Sequence, residues 1–208
     1  MDGKKVIVVV IFLFFSVNIA KAEDFTGKKV TVPKFTPSGK KAQKEKWLKV
    51  GLADMILNDI AATGKLEVVP RRALEKIMEE QKIQQSGAIN KKTAVKIGKM
   101  VGADLLVSGN YQLIENYIRI NTTVYDVEKG VSVGAANVSG NVNEVFKLEK
   151  LLVTKLLKNL DLSLSQEEKI NFFRTSSQNL KALEKNYKGE LAREKGNKKQ
   201  PEEFRKGS

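Results

Sequence analysis

The chain has 208 residues, with 37 Lys and Arg against 24 Asp and Glu, for a formal net charge of +13. Histidine and cysteine are both absent. That excludes imidazole acid–base chemistry, thiolate nucleophiles, disulfides and the usual zinc ligand sets.

The N-terminus reads MDGKKVIVVVIFLFFSVNIAKAED. Lys4 and Lys5 give a positive start, Val6 to Phe15 is an unbroken apolar run, and Ala20-Lys21-Ala22 is an A-x-A cleavage site. This pattern predicts a secretory signal peptide over residues 1–22, removed after Ala22. A membrane anchor needs about 20 apolar residues, and Ser16, Asn18 and Lys21 break this run. Loss of the segment removes three lysines and one aspartate, so the charge falls from +13 to +11. With no cysteine to acylate at the cleavage site, the mature chain is expected to be exported and not a lipoprotein. An exported chain does not meet nucleic acid. The basic excess therefore reads first as a solvated surface and second as weak contact with an anionic membrane surface.

About 185 residues remain, enough for one globular domain and an appendage. Residues 23–162 are expected to form the domain and 163–208 a charged helical tail. Lys29 to Phe35 alternates as a first strand, with Pro33 marking an edge or an early end. Thr36 to Lys41 reads as a turn or loop. Lys44 to Ala62 is predicted as a helix with Leu48, Leu52, Met55, Ile56 and Ile60 on one stripe. Gly64 is placed as its C-terminal cap. Leu66 to Val69 is a short apolar run ending at Pro70. Leu74, Ile77 and Met78 then follow helical spacing, stopped at Ser86-Gly87. Ala94, Ile97, Gly98 and Val101 define a second helix stopped at Gly102, and Leu105-Leu106-Val107 reads as a buried strand.

Beyond it the period changes to two. Ile118, Ile120 and Val124 face one side; Arg119, Asn121 and Thr123 face the other. Asn116 lies in a tight turn, Glu128-Lys129-Gly130 makes the next, and Val131 to Val142 is the last strand of a meander. Asn143 to Leu160 is predicted as a helix burying Val145, Leu148, Leu152, Leu156 and Leu160. The order β-α-β-α-α-β-β-β-α implies a mixed sheet with helices on its faces, an α/β or α+β fold, followed by the charged helical appendage. In that appendage Tyr187, Gly189, Gly196, Asn197, Pro201 and Phe204 are spaced as in one degenerate tetratricopeptide-like unit. A plain charged helical or disordered tail is the competing reading.

Residues 68–109 carry the order V-V-x-R-x-x-L-x-x-I-x-x-E-Q, then S-G, then I-G-x-x-x-G-A-D, then S-G. The matching residues include Arg71, Leu74, Glu80, Gln81, Gly87, Gly98, Gly102, Ala103, Asp104 and Gly109. In this the chain resembles the CsgG family of bacterial envelope proteins. That family includes the curli secretion channel and is related to FlgO-type flagellar envelope proteins and LpoB-like lipoproteins. The likeness runs more weakly from about Lys29 to Leu160. Many members carry an acidic residue before the arginine, where this chain has Pro70.

The resemblance implies a periplasmic protein associated with the outer membrane, without cofactor and without enzymatic activity. Its partners would be other envelope proteins or further copies of itself. Its role would be to assist a secretion, flagellar or cell-wall machine. The alternative is a subunit of an oligomeric curli-type secretion channel. The curli channel adds membrane-spanning hairpins, each of which needs roughly 20 residues beyond the soluble sheet. Between Tyr111 and Val124 there is only the turn near Asn116, and between Val138 and Asn143 there is nothing to spare. The channel hairpins are therefore expected to be missing.

No G-x-x-x-x-G-K-[ST] or G-x-G-x-x-G loop occurs. Ser38-Gly39-Lys40-Lys41 has serine–lysine spacing, but in a loop among other lysines rather than at a helix start. Glu79 and Glu80 are adjacent on a helix, so their carboxylates diverge. Asp104 is expected to accept backbone N–H bonds and fix its turn. Gly98 is expected to allow close helix packing, and Gly102 to supply a positive-φ stop at a packing point. Arg71 and Glu80 are read either as a structural ion pair or as part of a partner surface.

Overall fold

The computed structural model describes residues 23–80, 89–174, 184–189 and 192–193. Ala20, Ala22, Gln81, Ser86 and Gly87 lie outside the described residues, as do Gly196, Asn197, Pro201 and Phe204.

The first strand, β1 (Lys29–Thr31), is shorter than its alternation suggests. Pro33 has no N–H to give to a ladder, and the Phe35 N–H donates to the Lys49 carbonyl at 2.9 Å instead. The chain then resumes pairing as β2 (Thr36–Ser38), where the sequence suggested a turn or loop. Next come two helices in place of the single one expected, α1 (Lys40–Lys44) and α2 (Trp47–Thr63). Gly64 closes α2 with φ +65, in the left-handed region that glycine enters without strain. The short β3 (Glu67–Val68) leads into α3 (Arg71–Glu80). Asn90 caps α4 (Lys91–Val101), its side chain accepting from the Thr93 N–H. The meander is β4 (Leu105–Ile114), β5 (Tyr117–Asp126) and β6 (Val131–Asn141). A 3₁₀ turn at Val142–Glu144 feeds α5 (Val145–Asn159), and α6 (Gln166–Arg174) follows.

The sheet order is β3-β1-β4-β5-β6, with β2 also on β4. The pairs β1–β3, β1–β4 and β2–β4 are parallel; β4–β5 and β5–β6 are antiparallel. The sheet is thus mixed, with helices on both faces. β4 and β5 pair without interruption from Leu105↔Asp126 to Ile114↔Tyr117. Residues 115 and 116 alone close that hairpin, with Glu115 at φ 52. Lys41 Nζ donates to the Glu115 carbonyl, and the Val142 N–H to the Asn116 carbonyl at 2.8 Å. Nothing in this stretch is left over for a further hairpin. No helix among the described residues is long and apolar enough to cross a membrane.

One face of the sheet meets α2, α5 and α6 in the main core. α2 buries Trp47, Val50, Ala53 and Leu57 as well as the stripe expected of it. Its second face is covered because α5 and α6 also pack against it; a helix that is apolar nearly all round is a buried helix. The core continues beyond residue 162, since Leu164 and Phe172 belong to the same cluster. A reciprocal capping box starts α6: the Glu168 N–H donates to Ser165 Oγ at 3.1 Å, and the Ser165 N–H to Glu168 Oε2 at 2.7 Å. The other sheet face carries a smaller cluster of Leu74, Met78, Ile89, Ala94, Ile97, Leu106 and Val127 under α3 and α4. Among the described residues this pair of helices covers only the end of the face near Leu106.

A polar cluster is enclosed where α2, α5 and α6 meet. Lys150 Nζ donates to Asp59 Oδ2 at 2.9 Å and sits 4.0 Å from the Phe172 ring centre. Glu149 is 2% exposed and lies beside Asp59, and one of its carboxylate oxygens has no partner. Burial holds the Glu149 carboxyl well above the usual carboxylate range. Asp59 pushes the same way, while Lys150 pulls it down.

Two outcomes follow from this packing. Gly102→Val is expected to cost on the order of 1–3 kcal/mol by backbone strain, because Gly102 has φ +64. The added crowding expected at that position is absent, since a Cβ there meets nothing within 4 Å. An unchanged thermal midpoint contradicts the strain argument. Glu149→Gln is expected to raise the thermal midpoint at pH 8 and to leave it nearly unchanged at pH 4. The folded-state pKa of Glu149 is raised. Its contribution is therefore fully present below the unfolded value of about 4.3 and is lost as pH climbs toward the folded value. A pH-independent difference between the two proteins contradicts this.

Candidate functional site

Arg71 opens α3 directly after Pro70, at the positive end of the helix dipole, where a cation is unfavourable. It is also 4% exposed. Two carboxylates offset both costs. Nε and Nη2 donate to Asp54 Oδ1 and Oδ2 at 2.6 and 3.1 Å, a two-pronged pairing with α2. Nη1 donates to Glu75 Oε1 at 2.6 Å, one turn along α3. Glu75 Oε1 also accepts from Lys34 Nζ at 2.8 Å, which ties in the segment between β1 and β2. Burial works against the guanidinium charge, and Asp54 and Glu75 outweigh it, so the Arg71 pKa is raised.

Glu80 does not join this network. It is exposed at the far end of α3, about 14 Å along the helix axis at 1.5 Å per residue. Among the described residues the acidic partners of Arg71 are Asp54 and Glu75. Of the two readings of Arg71 and Glu80, an ion pair or part of a partner surface, the ion pair between them does not form: the side-chain fork takes the carboxylate one turn away and one from a neighbouring helix. The i, i+4 spacing of Arg71 and Glu75 was readable in the sequence; Asp54, 17 residues away, was not.

Beside the network lies a cleft of about 400 Å³. Asp54, Leu57 and Asn58 line it from α2, Pro70, Arg71 and Arg72 from the start of α3, and Asn186 and Tyr187 from the C-terminal segment. Arg72 is exposed at its mouth. No group of three or more His, Cys, Asp or Glu among the described residues is placed to hold a metal ion.

The other motif residues gather around the start of β4, where their roles are architectural. Leu74 is 1% exposed in the smaller core and Ala103 is 5% exposed. A Cβ on Gly98 would stand 2.2 Å from a Val127 methyl, so α4 lies against the β5–β6 turn only because this residue is glycine. Gly102 turns the chain out of α4, and the Ala103 N–H donates to the Gly98 carbonyl at 3.0 Å. Asp104 follows, and its side chain does accept a backbone N–H, though from another strand and not from its own turn. Lys29 N–H donates to Asp104 Oδ2 at 2.8 Å, and Asp104 N–H to the Lys29 carbonyl at 2.8 Å. The Asp104 carbonyl in turn accepts from Val127 N–H at 2.9 Å. A Cβ on Gly109 would lie 2.1 Å from the Phe35 ring, which fills the gap between β1 and β2.

The serine–lysine pair does not form a catalytic arrangement, since Ser38 is an exposed strand residue and Lys41 serves the Glu115 carbonyl. Glu79 and Glu80 are both exposed. Sequence reasoning missed Asp59, Glu149 and Lys150. The available signal was the presence of charges inside otherwise apolar helix patterns.

A family model described as "Curli production assembly/transport component CsgG" matches residues 17–143. No curated protein matches the chain in sequence. Several solved structures are similar in fold. The LpoB C-terminal domain from Escherichia coli is 15% identical, over 56% of this chain and 84% of that one, with a TM-score of 0.43. The PelC dodecamer from Paraburkholderia phytofirmans is 16% identical over 67% and 90%, at 0.37. Lipoprotein GNA1162 from Neisseria meningitidis is 12% identical over 55% and 80%, at 0.41. The family match spans more than half of the 208 residues and contains the Arg71, Gly98, Gly102 and Asp104 positions. The chain belongs to the CsgG family of bacterial envelope proteins.

Proposed function

We propose that this chain is a non-enzymatic, exported interaction module that assists the assembly or stability of a bacterial envelope machine serving secretion, the flagellum or the cell wall. It acts in the periplasm, at the inner side of the outer membrane, by binding other envelope proteins. The observation that carries this reading is the closed β4–β5 hairpin. Its ten pairs run without interruption to a two-residue turn, and the turn is fastened from α1 and from the end of β6. A spanning strand needs about 9–11 residues within the bilayer, and these strands already spend that length inside the soluble sheet. Backbone groups left unpaired in hydrocarbon cost several kcal/mol each, so a fastened soluble turn is a poor candidate for insertion. The family description names an assembly and transport component; the module reading takes the assembly half of it. The Arg71 cleft and the basic surface supply places for partner contact.

The test combines two measurements on the chain lacking residues 1–22. In planar bilayers it is expected to give no discrete conductance. With anionic vesicles it is expected to bind weakly, and less so as salt rises, because exposed charges are screened over about 8–10 Å at ordinary ionic strength. Discrete single-channel steps, together with a large ring by light scattering, would overturn the module reading and make the chain a channel subunit.

A further inference from the structure

Beyond the end covered by α3 and α4, the second face of the sheet is open among the described residues, and its chemistry departs from the rest of the chain. The cross-strand register places Asn110, Asn121 and Asn137 side by side on β4, β5 and β6. Asn121 Nδ2 donates to Asn110 Oδ1 at 3.0 Å. The next row is Gln112, Arg119 and Ser139, all exposed. At the hairpin end Tyr117 is 53% exposed and its hydroxyl lies 3.3 Å from Ser139 Oγ. One residue in these rows is charged, in a chain that is 29% charged overall. Asparagine is disfavoured in strands, so a row of three on adjacent strands works against folding and calls for another reason.

We propose that this face binds a neutral, extended glycan strand. The amides of Asn110, Asn121, Asn137 and Gln112 each present a donor and an acceptor, which suits vicinal hydroxyls that also do both. Within a row the side chains repeat at the interstrand spacing of about 4.8 Å, close to the length of one sugar unit in an extended chain. Tyr117 offers a ring against which the C–H face of a pyranose stacks, and Arg119 adds planar donors beside it. A polyanion would find one cation here and many elsewhere on the protein, so the scarcity of charge selects a neutral polymer. The face lies on the opposite side of the sheet from the main core, apart from the Arg71 cleft, and the inference stands independently of protein-partner binding.

Titration of the signal-less chain with cellohexaose and with chitohexaose, followed by amide chemical shifts, tests the proposal. The expected result is saturable shifts confined to β4, β5 and β6 around these rows. Asn121→Thr with Asn137→Thr is expected to melt no lower than the parent, since threonine favours strands, while binding falls about tenfold for each lost hydrogen bond. Tyr117→Ala, at an exposed position, is expected to weaken binding with the fold intact. Three outcomes overturn the proposal: no saturable shifts with either oligosaccharide, binding unchanged in both variants, or binding only to a polyanion such as polygalacturonate that disappears with salt. Shifts on the same face that depend only on protein concentration would also overturn it and assign the face to contact between copies of this chain.

Discussion

The junction at Asp104 holds three strands at one point. Its side chain and its N–H engage both backbone groups of Lys29 on β1, and its carbonyl receives Val127 at the end of β5. Each bond is modest, about 1 kcal/mol net. Their importance is in register. A slip of one residue would turn every side chain of a strand to the opposite face, and both faces of this sheet are already assigned. With Asp104 fixed, Val30 lies opposite Leu105 and Leu105 opposite Asp126. From there the antiparallel pairs carry the same alternation out to Ile114 and Tyr117. The left-handed Gly102 delivers the chain to this point, and Gly98 allows α4 to lie close enough for the delivery.

The two sheet faces are used unequally. Leu105, Val107, Tyr111 and Leu113 point into the main core, while Leu106 points into the smaller one. The buried Tyr111 hydroxyl reaches the carbonyls of Ala42 and Glu45, so its single O–H can satisfy either at the end of α1; burial raises its pKa. The smaller core is sealed by α3 and α4, and Arg71 sets the start of α3 by its fork to Asp54 on α2. This fork also joins the helices on opposite sides of the sheet's edge. An ion pair of this kind holds geometry more than it adds stability.

Where the sequence was legible, a local rule was at work. Period two in β5, the glycine stops at 64 and 102, and the apolar spacing of α3, α4 and α5 all follow from residues close together in the chain. β2 was missed because Thr-Pro-Ser carries turn chemistry; it becomes a strand only because β4 extends far enough to offer it a partner. The break at Phe35 depends on Gly109, 74 positions later, leaving room for the ring. The partners of Arg71 and Asp104 were hidden for the same reason, being 17 and 75 positions distant. By contrast, the S-x-x-E box at Ser165 was local and readable. The composition around it is that of a charged tail, yet α6 is anchored through Phe172 in the main core.

Amide hydrogen exchange on the parent chain and on Asp104→Ala tests the junction most directly. In the parent, the Lys29 amide should be protected along with the β1 ladder. In the variant, Lys29 and the β1–β3 pairing should lose protection, while β4, β5 and β6 keep theirs, because the meander has its own continuous ladder. Unchanged protection at Lys29 in Asp104→Ala would contradict the role given to this residue in setting the register of the sheet.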